Sequence, residues 1–345
     1  MSNLLSGLQK AKLEAYNLPY DLTISTATIT CKINVMFHVY NIAYYFNDFD
    51  DIIIGKKFGN RVVSNIVNVK RVKSGKKQKK KEKKNFFNQV SLIFRSATLM
   101  GIDPETLSQK EKFKNINVKL FINGSIQMTG CKHLDNIKKC LEILFEKLKV
   151  TKVVYSSDMK RFEKKKFVGS IENLDLSKAK IIIKNTKNEE NGNIDINVDS
   201  EIVGEVKLKT NPDLIPDENF DMNVLNVKNV NKFEIRMINT NFNIGFFVNR
   251  NKLHQMLIEQ GYDAIFDPIT HACVNITYNI PQLNKNVSVF VFESGSITIA
   301  GSNSCYQISL TYDFINKFIL SNYSVLLSKP ITPQILIQLI QNMKN

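Results

Sequence analysis

The chain has 345 residues, 43% of them hydrophobic, which is enough for one large core or for two similar ones. Forty-seven basic residues against 32 acidic ones give a net charge of +15, a balance that points to a polyanionic partner. Five scattered cysteines with no CxxC and no His/Cys cluster argue against a disulfide framework or a zinc site and fit a reducing compartment.

The N-terminal stretch MSNLLSGLQKAKLEAYNL has no basic region leading into an apolar one, so no signal peptide is expected. No run of about 18 apolar residues occurs, so no membrane-spanning segment is expected either. Leu22–Val35 (LTISTATITCKINV) reads as a strand, followed by a helix over roughly Phe37–Phe46. Lys70–Lys84 holds ten basic residues and one acid, which accounts for +9 of the +15. Such a tract is too charged to fold and reads as a mobile loop, first as a contact for nucleic acid with Lys76, Lys77, Lys79, Lys80, Lys81, Lys83 and Lys84 as candidates, and otherwise as a nuclear localisation signal or a solvated tether. Val90–Phe94 is a short alternating strand. Phe121–Gly130 (FINGSIQMTG) is a strand, a tight turn at Gly124 and a second strand. The helical pattern that follows sets Ile137, Leu141, Leu144, Phe145 and Leu148 on one face.

Residues 151–230 read as an inserted linker or small subdomain, with a strand-like AKIIIKN and the acidic stretch NEENGNIDINVDSE. The earlier order then recurs. Phe233–Phe246 (FEIRMINTNFNIGF) is strand-like, Arg250–Gln260 is helical, and Val274–Tyr278 matches Val90–Phe94. Phe292–Gly301 (FESGSITIAG) shares five of ten positions with Phe121–Gly130 and turns at Gly295. A helix follows with Ile308, Tyr312, Ile315 and Ile319 on one face. Thr332–Met343 is predicted to form a last short helix, with Thr332 as N-cap and Pro333 at the first position.

The division expected is therefore a first repeat over 1–150 carrying the basic loop at 70–84, the insertion at 151–230, a second repeat over 231–327, and a C-terminal helix within 328–345. Two such units side by side can form one continuous antiparallel sheet with helices on a single face, an α+β arrangement.

These residues resemble the TATA-binding protein family. FINGSIQMTGCK and FESGSITIAGSN are similar to its repeated Phe-x-Ser-Gly-Lys-x-x-x-Thr-Gly-Ala-Lys signature, and TITCKINV and FEIRMINTNFNIGF resemble its two opening strands. The resemblance covers roughly residues 20–150 and 230–325. Long basic insertions and an Asn/Lys/Ile-rich composition look like versions of this family in large DNA viruses. The resemblance implies a pseudo-twofold saddle, a curved antiparallel sheet with helices on its convex face. Its concave face would lie on the minor groove of AT-rich duplex DNA, with Phe wedges kinking the base stack. Implied partners are double-stranded DNA, RNA polymerase and the general transcription factors. The implied state is a monomer, in the nucleus or, for a viral protein, in a cytoplasmic factory or virion.

Carried over by position, Phe87, Phe121 and Phe292 fall on wedge sites and His271 on the fourth. Thr129 matches a groove-contacting Thr, with Ala300 as its partner. Ile24, Gln127 and Thr298 fall on other groove-floor positions. Of four signature lysines only Lys132 remains, the others being Ser125, Ser296 and Asn303. The paired Asn residues of the family correspond to Leu22 and Met237, with Asn239 close by. These departures leave a second reading: a structural or interaction module of a transcription or DNA-packaging complex, holding DNA without sequence preference through the lysine loop. No nucleophile–base pair, carboxylate dyad, phosphate loop or metal cluster appears, and His38, His133, His254 and His271 lack ligand spacing. Neither catalysis, a cofactor nor a metal is expected.

Overall fold

A computed structural model describes residues 3–16, 18–59, 61–64, 88–99, 101–102, 115–131, 135–156, 161–170 and 220–328. The chain opens with helix α1 (Asn3–Tyr16). The first repeat then runs β1 (Thr23–Lys32), β2 (Met36–Phe37), α2 (Val39–Tyr45), β3 (Ile53–Phe58), β4 (Arg61–Ser64), β5 (Gln89–Arg95), α3 (Ser96–Leu99), β6 (Asn115–Phe121), β7 (Ser125–Cys131) and α4 (Asp135–Leu148). A hairpin of β8 (Lys152–Ser156) and β9 (Arg161–Lys165) leads to β10 (Val168–Gly169). The second repeat runs β11 (Asn231–Asn243), α5 (Arg250–Glu259), β12 (Asp263–Ile265), β13 (Cys273–Ile280), β14 (Lys285–Phe292), β15 (Ser296–Ser302), α6 (Cys305–Ser321) and α7 (Tyr323–Leu326).

Eleven strands form one curved antiparallel sheet in the order β12-β13-β14-β15-β11-β1-β7-β6-β5-β3-β4. Read outward from the central β11–β1 pair, each side is an opening strand, the hairpin in reverse, then the strand before the hairpin. The expected α+β fold with two related halves is therefore what forms.

The symmetry reaches individual hydrogen bonds. Ile33 N donates to Gly124 O at 3.0 Å, and Ile244 N donates to Gly295 O at 3.0 Å, so β1 maps onto β11 by a shift of 211 residues. Under that shift the central pairing maps onto itself. Thr28 faces Met237 as Thr26 faces Asn239, and Ile24 faces Thr240 as Ile29 faces Ile235. Ala27 and Ile238 face each other and are each other's image, so the pseudo-twofold axis passes through that pair. One extra residue on each strand, Ser25 and Arg236, makes a pair of symmetric bulges flanking the axis.

The turns explain why glycine stands at 124 and 295. Their φ angles are +79° and +80°, in the left-handed region. A Cβ at Gly124 would collide with the Ile33 carbonyl oxygen, and one at Gly295 with that of Phe246.

Alternation gives each strand one buried row. Ile116, Val118 and Leu120 of β6 and Ile126 and Met128 of β7 pack under α4, through Ile137, Cys140, Leu141, Leu144, Phe145 and Leu148. Val287, Val289 and Val291 of β14 and Ile297 and Ile299 of β15 pack under α6, through Ile308, Ile315 and Ile319. Ser304 caps α6, accepting from Gln307 N at 3.3 Å, while Gln307 Oε1 accepts from the N–H of Asn303, just before the cap, at 3.0 Å. Two cores result, with Ile235 packed against both.

The first repeat extends past residue 150. His38 N donates to Phe167 O at 2.9 Å, as Asn249 N donates to Leu326 O at 2.7 Å. Val168 pairs with Phe37, as Leu327 bridges Val248. Residues 167–169 thus close the first repeat as 326–328 close the second, and Phe167 and Val168 are fully buried in the first core. The expected insertion therefore begins on structure that belongs to the repeat. The β8–β9 hairpin stands where the second repeat has α7. Among the described residues no helix is long and apolar enough to cross a membrane. The basic loop and the C-terminal helix lie outside the described residues.

Candidate nucleic-acid interface

The sheet face away from the helices is lined by the other row of each strand. Next to the axis it carries Thr26, Thr28 and Thr30 of β1 and Met237, Asn239 and Asn241 of β11. Flanking these are Gln127 and Thr129 on β7 and Thr298 and Ala300 on β15. Hydroxyls and amides both donate and accept, which suits a surface of mixed base edges and sugar. Glu234 also lies here, held by Arg236 at 2.7 Å, while Arg236 Nε donates to Thr30 Oγ1 at 3.0 Å. The Oδ1 atoms of Asn117, Asn239 and Asn275 on this face have no hydrogen-bond partner among the described residues.

The structure brings Phe121, Gln127, Thr129, Phe292 and Thr298 onto this one face. Phe121 ends β6 opposite Gln89, and Phe292 ends β14 opposite Cys273. Both rings are half-buried and point away from the buried rows of their strands. Gln127, Thr129 and Thr298 share the face, with Thr129 beside Thr28 and Thr298 beside Asn241. His271 is exposed, two residues before Cys273. Its Nδ1 lies 2.5 Å from Thr270 Oγ1, and its backbone N–H donates to the Asp267 carbonyl oxygen at 2.8 Å. The Thr270 hydroxyl also donates to the Asp267 carboxylate at 2.6 Å, which holds that carboxyl below its usual range. Gln89 pairs with Phe121 as Cys273 pairs with Phe292. Phe87, Lys132 and Lys76, Lys77, Lys79, Lys80, Lys81, Lys83 and Lys84 lie outside the described residues.

Two expectations need correction. Ile24 was expected on the groove floor, but it pairs with Thr240, which is fully buried, and it packs against the second core. The bulge at Ser25 reverses the alternation, so Ile24 sits on the helix side. The second correction concerns the pairing of Leu22 with Met237. The 211-residue shift makes Phe233 the counterpart of Leu22 and Thr26 that of Met237.

One aromatic was overlooked. Phe290 lies on the open face between Thr298 and Asn275. Its signal was the strict alternation of Val287-Ser288-Val289-Phe290-Val291-Phe292, which places both Phe residues on the same side.

Reactive groups are scarce on this frame. Burial pushes the Cys31 and Cys131 thiols up to about 12 and holds the Cys140 thiol well above its ordinary value, so these are inert small hydrophobes. Among the described residues no group of three or more His, Cys, Asp or Glu is arranged to hold a metal ion.

No family model matches the chain. A curated protein of Acanthamoeba polyphaga mimivirus, named TATA-box-binding protein-like, is 28% identical over 329 residues, which cover 91% of this chain and 70% of that protein. The chain is similar to a TATA-box-binding protein-like protein. Among solved structures, Methanococcus jannaschii TBP aligns at 11% identity with a TM-score of 0.41, covering 87% of this chain and 99% of that one.

Proposed function

We propose that this chain is a TATA-binding-protein-like transcription initiation factor that lays the open face of its sheet on the minor groove of AT-rich duplex DNA and bends it. The observation that carries this reading is the pair Phe121 and Phe292, set by symmetric hairpins at opposite ends of a hydroxyl- and amide-rich face.

Five strand intervals separate β6 from β14, about 24 Å across the strands at about 4.8 Å each, and the two rings also lie apart along the strands, level with Lys32 on one side of the Ala27–Ile238 pair and with Asn243 on the other. A sheet cannot enter a minor groove about 6 Å wide, so contact across this face requires the groove to open. Wedging an aromatic into a base step opens it at a cost of a few kcal/mol per step. Burying each Phe offsets about 1.5–3 kcal/mol of that cost, and the Thr, Asn and Gln groups meet the acceptors that A·T pairs present. Two repeats in one chain supply the twofold, so a monomer suffices. The helix side, with α4 and α6, is then free to receive RNA polymerase and other transcription factors.

The test is DNA bending measured by energy transfer on end-labelled duplexes, with AT-rich and GC-rich sites compared. A sharp bend that prefers the AT-rich site, and that disappears in Phe121→Ala/Phe292→Ala, is the expected result. If that double variant bends and binds DNA like the wild type, the wedge reading is wrong. Binding that is unbent, blind to sequence and abolished by deleting residues 70–84 would favour the interaction-module reading.

A further inference from the structure

The two halves of the open face share a backbone but differ in charge. Lys119 of β6, between Ser91 and Gln127, has Phe290 as its image. Lys32 of β1, beside Ser125, has Asn243, beside Ser296. Lys57, opposite Ser91, has Ile265, opposite Asn275. Arg95 ends β5 where Asn279 stands on β13. One acid goes the other way, Gly55 being answered by Asp263. Glu234, opposite Thr30, is neutralised by Arg236 at 2.7 Å. At each of these five pairs the second half is the less positive. At Lys119/Phe290 the exchange also gives the second half another ring.

Resting on the proposed DNA-binding reading, we propose that the halves divide the work. The first half, through Lys32, Lys57, Arg95 and Lys119, grips phosphates. The second half, through Phe290 beside Phe292, unstacks a base step and provides most of the bend. Cations gain from released counterions at any sequence, whereas wedges act where the stack yields, at flexible pyrimidine–purine steps. The complex is then held electrostatically at one end and kinked chiefly at the other.

The experiment pairs salt-dependent affinity with bend angle on one AT-rich duplex, using the full-length protein and variants on both halves. Lys119→Gln/Arg95→Gln lowers the slope of log affinity against log salt by about 0.9 for each phosphate no longer neutralised, and leaves the bend of the saturated complex in place. Phe290→Leu/Phe292→Leu reduces the bend several-fold more than Phe121→Leu does, with the slope unchanged. Equal loss of bend from Phe121→Leu and Phe292→Leu overturns the division while leaving the parent reading intact. A salt slope unmoved by the Lys119/Arg95 change also overturns it. A wild-type complex with no bend removes the parent reading and this one together.

Discussion

The turn at Gly124 and the turn at Gly295 are made by the same hydrogen bonds, yet one is entered through Ile122 and the other through Glu293. The same contrast runs through both lobes. Where a residue's job is to hold the backbone, the repeats agree, as in the bulges at Ser25 and Arg236 and the bonds from Ile33 and Ile244. Where a side chain faces away from the helices, they diverge, as at Lys119 and Phe290. A buried row is fixed by volume and by hydrogen bonding, while an open row is free to answer to whatever lies on it.

The strongest way to probe the shared part is at equivalent core positions. Leu144 of α4 and Ile315 of α6 occupy the same place in their repeats, and both are fully buried. Leu144→Ala and Ile315→Ala should each cost about 2–5 kcal/mol, measured by denaturant unfolding. One continuous sheet crosses the axis, and α1 gives Leu4 and Leu8 to the first core while also contacting α6. Each variant should therefore lower a single shared transition. A transition that splits in two would show lobes that unfold separately.

A smaller effect is expected at the turns. Gly124→Ala and Gly295→Ala place a Cβ in a left-handed conformation and against a backbone oxygen that cannot step aside. Strain alone accounts for about 1–2 kcal/mol, and the collision adds to it. Matching losses of thermal stability in the two variants would support the symmetry. A loss confined to one would mean that the opposite turn can rearrange.

Much of this was legible in the sequence. The hairpins announced themselves because a glycine turn and period-2 alternation are local signals, and their recurrence with a helix after each fixed the fold. The faces of α4 and α6 followed from periodicity, whereas Phe121, Phe292, Gln127, Thr129 and Thr298 were singled out by the family resemblance, and only their sharing of one face is a matter of alternation. The side of Ile24 was not legible, because a single bulged residue reverses every side chain beyond it and leaves no mark in composition. The same bulges hid the true counterpart of Leu22. Val168 and Leu327 share a role that depends on pairing with Phe37 of β2 and with Val248, both far away in sequence. The charge difference between the halves became visible only once the register had named each residue's image.

The smallest expected effect lies at a tether found in the second repeat alone. Tyr312 of α6 donates to both carboxylate oxygens of Asp21 at 2.9 Å, and its ring packs on Phe242 at 4.7 Å. Its counterpart on α4 is Leu141, a fully buried aliphatic. Tyr312→Phe keeps the ring and removes the hydroxyl, so at neutral pH it should cost about 1 kcal/mol or less, since the pair is partly open to solvent. The pH dependence identifies the bond. Burial, followed by the neighbouring Asp21 carboxylate, pushes the Tyr312 hydroxyl up to about 12, above its ordinary value near 10. A folded-state value raised in this way means that the tether contributes fully below about pH 10 and is lost as pH rises through about 12. Other tyrosines and lysines titrate alike in both proteins, so the difference in unfolding free energy between wild type and Tyr312→Phe isolates this one proton. That difference should be constant from pH 7 to about 10 and close toward pH 12. No gap between the two proteins at any pH would place the stabilisation in ring packing on Phe242, which Leu141 could match, and the two repeats would then be alike on their helix side as well.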